Sequence, residues 1–199
     1  MTAFSDAQRI PLRDVTIFMR KNFLNSADCD SLVHRIEAER RPSGLADHYG
    51  DSNFRTSETC DLGGDDPFIK SIVARLASYA GLDPANAEPL QGQRYAVGQE
   101  FKAHTDTFEP GGPDYERFCS SAGQRTWTMM VYLNRPSAGG ATRFKQFGKI
   151  IRPETGKLLA WDNLLPDGNP NYATLHQGLP VRAGVKHIIT CWFRERPWP

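Results

Sequence analysis

Thr126-Trp127-Thr128-Met129-Met130-Val131-Tyr132-Leu133 is a run dominated by aromatic and β-branched residues, with Gly123 before it and Asn134-Arg135-Pro136 after it. It reads as a β-strand. Two later runs, Lys157 to Trp161 and His187 to Phe193, have the same character, and from Leu90 onward Gly, Pro and Asn clusters divide the chain into such segments. Several short strands with turn signals and no helical pattern between them predict a β-sandwich or barrel rather than a parallel sheet.

Upstream the pattern changes period. Cys29, Leu32, Val33 and Ile36 recur at i, i+3, i+4 and i+7, which predicts a helix over about Ala27 to Arg40 with Ser26 as its N-cap. A second helix is predicted from Pro67 to Ala80: Asp66 caps it, Pro67 suits the first helical position and Gly81 suits a left-handed stop. Ile69, Ile72, Val73, Leu76 and Ala80 form its apolar stripe. The expected class is α+β, mainly β, in one domain over 1–199: residues 1–85 as mostly helical support and 86–199 as the strand-rich core.

With 199 residues, 39% hydrophobic and 24% charged, the chain has the length and mix of one globular unit with one sizeable core. The 24 Lys and Arg against 23 Asp and Glu, without a block of like charge, give no electrostatic reason to expect nucleic acid or an anionic membrane as partner. No apolar run approaches the roughly 20 residues of a spanning helix, and the first ten residues lack the pattern of a secretory signal. Cys29, Cys60, Cys119 and Cys191 are far apart with no CxxC pair, so they are expected to be reduced thiols of a cytoplasmic protein.

Phe101-Lys102-Ala103-His104-Thr105-Asp106 places a histidine and an aspartate two residues apart, and in an extended strand both point to one face and reach one ion. His176, just before Gly178, Pro180 and a further strand, is the candidate for a third ligand. Two imidazoles and a carboxylate on one face of an octahedron leave adjacent positions open, the arrangement of non-haem Fe(II) oxygenases. An HxD tripeptide alone is weak, since it also occurs at polar strand edges. Of the other histidines, His34 is expected to face solvent, His48 sits in a Gly/Asp loop, and His187 is expected to pack or hydrogen-bond at a strand start.

The segment Gly184 to Phe193 is apolar on both alternations, as in a strand covered on both faces. Lys186 shares a face with Ile188, Thr190 and Trp192 there. Unless it snorkels to water at the strand end, it needs an anionic partner, because an unpaired buried charge is costly. A dicarboxylate co-substrate that chelates iron through a 2-oxo acid end supplies that anion.

These residues resemble the prolyl 4-hydroxylase group of Fe(II)/2-oxoglutarate dioxygenases, over roughly Phe54 to Trp192. The landmarks in order are Arg55-Thr56-Ser57, Tyr95-Ala96-Val97-Gly98-Gln99, His104-Thr105-Asp106, Gly123-Gln124-Arg125, Thr128, Tyr132-Leu133-Asn134, Gly139-Gly140-Ala141-Thr142-Arg143-Phe144, Pro153, Gly156, His176, Pro180-Val181, Gly184-Val185-Lys186 and Trp192. The resemblance implies a double-stranded β-helix (jelly roll, cupin-like) core with supporting N-terminal helices. It implies Fe(II) on His104, Asp106 and His176, 2-oxoglutarate paired with Lys186 and hydrogen-bonded by Tyr95 and Thr128, O2 as oxidant, and ascorbate as a supporting reductant. It places Glu88, Arg125 and Trp192 on the substrate side, with peptidyl proline as the default substrate and a free amino acid or another peptidyl side chain as the alternative. Phe101 departs from the family where a tyrosine is common, and Ala141 where an acidic residue is usual. With Asp106 present, hydroxylation is the expected outcome. The Gly- and Pro-rich segment Thr107 to Ser121 is expected to form a mobile rim over the site.

Two other classes compete. A non-catalytic jelly-roll binding module would keep the ligands as relics, although the complete triad and Lys186 argue against it. A zinc hydrolase also suits two histidines and an aspartate, but leaves Lys186 unexplained. Oligomeric state is left open by the sequence.

Overall fold

A computed structural model describes residues 3–44, 53–113 and 115–199. The elements run β1 (Gln8–Ile10), β2 (Ile17–Arg20), α1 (Ser26–Glu39), β3 (Arg41–Pro42), β4 (Glu58–Leu62) and α2 (Pro67–Ala80). They continue with β5 (Leu90–Tyr95), β6 (Phe101–His104), α3 (Tyr115–Cys119), β7 (Arg125–Tyr132), β8 (Ala138–Gly139) and β9 (Thr142–Phe144). Last come β10 (Lys149–Ile151), β11 (Lys157–Asp162), β12 (His176–Gly178), β13 (Val181–Ala183) and β14 (Lys186–Arg194).

α2 forms over the expected residues for the expected reasons: Asp66 accepts from the Phe68 amide and Gly81 closes the helix at φ 67°. α1 begins one residue earlier than the apolar spacing suggests. Its cap is Asn25, not Ser26, because the Asn25 side chain accepts from the Asp28 amide at 2.8 Å; Arg40 at the other end is already extended. The region read as helical support also contributes β1 to β4 to the sheet, strands too short to carry a clear alternation. Among the described residues no helix is long and apolar enough to cross a membrane.

Eight strands form the major sheet in the order β1-β2-β11-β7-β14-β5-β4-β3, and a smaller sheet runs β10-β9-β12-β6. The pairs are antiparallel, and most sheet neighbours are distant in sequence. The two sheets together form the double-stranded β-helix.

The central strands are buried on both faces, as the apolar run before Phe193 predicts. Met129, Val131, Ile189, Cys191 and Phe193 point towards α1 and α2 and pack with Leu32, Ile36, Ile72 and Leu76. The alternate residues Met130, Tyr132 and Ile188 point the other way and pack with Tyr95, Phe144, Leu159 and Trp161 between the sheets.

Gly92 in β5 shows how tightly α1 lies on the helix-side face, since a β-carbon there would collide with the Ile36 side chain. Gly92→Val is therefore expected to lower stability by about 2 kcal/mol through overpacking. In chemical denaturation, the Gly92→Val/Ile36→Ala double variant should lose less than the sum of the two single losses.

Candidate metal centre

β6 and β12 are adjacent in the smaller sheet, and their register sets His176 directly across from His104. Asp106 lies two residues beyond His104, just past the strand end. The ligand atoms of His104, Asp106 and His176 all lie within 4.8 Å of one another, so the three residues singled out in sequence meet at one point.

The imidazoles are prepared as ligands. His104 Nδ1 is 2.7 Å from the Lys102 carbonyl and His176 Nδ1 is 3.0 Å from the Thr174 carbonyl. A carbonyl only accepts, so each ring carries its proton on Nδ1 and offers the Nε2 lone pair. Burial, reinforced by nearby His176, pushes the His104 pKa down to about 3 and keeps that ring neutral. Burial alone would raise the Asp106 carboxyl, but His176, His104 and Arg125 hold it below the usual carboxylate range. Phe101 stacks on His104 with ring centroids 3.6 Å apart, and Trp161 packs edge-on against His176 at 4.8 Å. Phe101, at the position where the resemblance leads one to expect a tyrosine, gives this wall an apolar ring. This donor set, two neutral nitrogens and one carboxylate with their outer hydrogen bonds in place, fits a first-row divalent metal.

Behind the triad a chamber continues inward between the sheets, lined by Gln93, Tyr95, Thr128, Trp161, Lys186 and Trp192 among others. Lys186 enters it from the first position of β14 and is 1% exposed, so it does not snorkel to water. It has no carboxylate partner among the described residues; the Tyr95 ring lies 4.6 Å and the Tyr132 ring 5.7 Å from its Nζ. Burial lowers its pKa to about 7. Gly178 lies beside it, where a β-carbon would be in ordinary contact with Nζ at 3.7 Å. The indole N–H groups of Trp161 and Trp192, which also line the chamber, are buried without partners. A buried lysine without an anion, together with spare donors, is a lining that fits a small carboxylate-bearing ligand.

Two residues expected to bind that ligand are engaged elsewhere. The Thr128 hydroxyl is 2.6 Å from Asp106 Oδ2 and its proton goes there. The Tyr95 hydroxyl donates to Gln93 Oε1 at 2.6 Å.

On the outer side a cavity of about 630 Å3 opens over His104 and Asp106, walled by Phe54, Arg55, Phe101, Phe108, Arg125 and Trp192. Arg125 lies over the Trp192 ring at 3.9 Å. Glu88, expected on the substrate side, stands behind Arg125 and does not face this cavity. It holds the Arg125 Nε and Nη2 at 2.7 Å each and also accepts from Arg194 Nη1 at 2.8 Å. Although burial would raise Glu88, the two guanidinium groups keep it below the usual carboxylate range.

The segment after Asp106 is anchored more firmly than its composition suggests. Phe108 is buried and stacks on Phe118 of α3 at 5.0 Å, and Gln124 pairs with both the amide and the carbonyl of Phe108. Tyr172 donates to the Glu109 carboxylate at 2.9 Å.

His34 is exposed, as expected, and His187 hydrogen-bonds Glu37 and Asn134 in a structural role; His48 lies outside the described residues. Arg55, Trp161 and Asn163 border or support the site without having been singled out in sequence. Arg55 was legible as part of a landmark tripeptide, but nothing local says that its guanidinium lies over Phe101 at 4.9 Å.

Residues 90–194 match the family model described as the 2OG-Fe(II) oxygenase superfamily. The prolyl 4-hydroxylase subunit alpha-1 of Gallus gallus is 34% identical over 146 residues, 73% of this chain and 28% of that subunit. The chain thus spans little more than a quarter of the length of such relatives. The viral collagen prolyl hydroxylase of Paramecium bursaria Chlorella virus-1, solved as a 2OG complex, superposes with a TM-score of 0.69 at 27% identity, covering 89% of this chain and 94% of that one. A Trichoplax adhaerens prolyl hydroxylase shares the fold at a TM-score of 0.64 and 17% identity, covering 90% of this chain and 83% of the other. With the triad and the buried lysine in one jelly roll, the chain belongs to the 2OG-Fe(II) oxygenase superfamily.

Proposed function

We propose that this protein is an Fe(II)- and 2-oxoglutarate-dependent dioxygenase that hydroxylates prolyl residues of a peptide or protein. The observation that carries the reading is the pairing, across one chamber, of a complete His104/Asp106/His176 ligand set with the buried, unpartnered Lys186. Held by these three residues, Fe(II) with 2-oxoglutarate and O2 supplies the oxidation of an unactivated C–H bond, with release of succinate and CO2.

The chain's own residues supply placement and exclusion. Lys186 receives the distal carboxylate of the co-substrate in a charge-assisted contact, and the rings of Tyr95, Trp161 and Trp192 keep water out of the chamber. On the substrate side Arg125 has three N–H groups engaged by Glu88 and the Asp106 carbonyl, leaving two of its five for peptide carbonyls. Held over the Trp192 ring, it is a preorganised donor beside an aromatic face suited to a pyrrolidine ring. The prolyl 4-hydroxylase relatives support this choice of substrate. The four cysteines are free and buried, which fits a reducing, cytoplasmic setting.

Two outcomes are expected. Proline-containing peptides should couple to succinate formation with Fe(II), O2 and 2-oxoglutarate, whereas the same peptides with alanine in place of proline should not; His176→Ala should abolish the succinate formation that the proline peptides support. Equal coupling by both peptides would remove proline from the reading.

The second outcome follows from Lys186. With its pKa near 7, the lysine is mostly neutral at pH 8, and a bound carboxylate favours the charged form. Anaerobic 2-oxoglutarate binding at pH 8 should therefore take up close to one proton, and at pH 6 clearly less. Affinity should fall as pH rises above 7. Calorimetry in buffers of different ionisation enthalpy measures the uptake, and Lys186→Met should abolish it.

A further inference from the structure

Three side chains form a run of hydrogen bonds that ends on the carboxylate ligand. Asn163 Nδ2 is 2.8 Å from Thr128 Oγ1, and Thr128 Oγ1 is 2.6 Å from Asp106 Oδ2. Thr128 and Asn163 have no exposed surface, so water does not compete for either bond.

The run has a direction. A threonine hydroxyl gives one hydrogen and accepts others, an amide nitrogen only gives, and a carboxylate only accepts. Asn163 therefore donates to Oγ1, and the hydroxyl hydrogen is sent to Asp106. Turning the Asn163 amide over would set two acceptors, Asn163 Oδ1 and Asp106 Oδ2, in competition for that one hydrogen.

The position of Asn163 is fixed on its own account: its amide donates to the Thr126 carbonyl and its carbonyl accepts from the Asn171 amide, each at 2.8 Å. Its Oδ1 is buried without a partner, a costly arrangement that an apolar residue filling the same space would avoid. The donor half of this amide is therefore the half with work to do.

We propose that Asn163 is a positioning residue for the metal: through Thr128 it fixes the rotamer of Asp106 and occupies Oδ2, leaving Oδ1 for the ion. No hydrogen bond to Oδ1 is seen among the described residues, and His104 Nε2 lies 3.8 Å from it. Thr128 thus serves the carboxylate ligand instead of the co-substrate. This inference rests on the metal-centre reading above.

Co(II) titration of the apo-protein, followed by ligand-field absorption, tests it without turnover, with apo-protein Tm as the check on folding. Thr128→Val and Asn163→Leu should each weaken Co(II) binding by roughly 10- to 100-fold, the usual effect of removing an outer hydrogen bond to a ligand, and should alter the ligand-field spectrum. Thr128→Ser, which keeps the hydroxyl, should bind within about threefold of the unmodified protein. Because Asn163 acts through Thr128, the double variant should bind Co(II) no more weakly than Thr128→Val alone. The proposal is overturned if the two losses multiply, or if Asn163→Leu binds as tightly as the unmodified protein. Should Asn163→Leu not fold, equal affinity of Thr128→Val and Thr128→Ser overturns it equally. Failure of the unmodified protein to bind Co(II) would instead remove the metal-centre reading itself.

Discussion

The structure depends on one constraint: the central strands β7, β14 and β5 bury both of their faces, and alternate residues must satisfy two different interiors. One alternation seats α1 and α2. The other builds the space between the sheets, where apolar packing gives way to chemistry near one end. Thr128 shows the exchange: it lies between Trp161 of β11 and Trp192 of β14 in one cross-strand row, and its hydroxyl meets a metal ligand instead of a hydrocarbon. The helices give the sheet a closely packed back, which supports the side chains on the other face.

Charge in the interior is distributed sparingly. The metal ligands contribute one carboxylate and two imidazole rings, each oriented by a hydrogen bond to a backbone carbonyl, with His104 kept neutral by burial. Lys186 is left without an anion, its charged form disfavoured by burial, an arrangement that favours a carboxylate-bearing guest over water. On the substrate side Glu88 serves Arg125 and Arg194 together, so the guanidinium facing the cavity is fixed in place and costs little to organise on binding. Arg194 also holds the carbonyls of Phe118 and Gly123, tying the segment over the cavity to the same cluster.

The sequence by itself determined the periodicities and the ligand chemistry. α2 was legible from Asp66, Pro67, Gly81 and its apolar stripe because helix ends are set by local hydrogen bonds. β7, β11 and β14 were legible because burial on two faces leaves unbroken apolar runs. His104, Asp106, His176 and Lys186 were legible because those residue types, in that order, have few other joint explanations. Tertiary structure decided what depends on partners far along the chain. The register of β12 on β6 sets His176 opposite His104; Glu88 turned out to stand behind Arg125, and Thr128 to bond Asp106. Asn163 gave no local signal, since a single asparagine after a strand reads as a turn residue. The physical reason is range: capping and alternation act within a few residues, whereas the hydrogen bonds that orient a ligand join groups that only the folded sheets bring together.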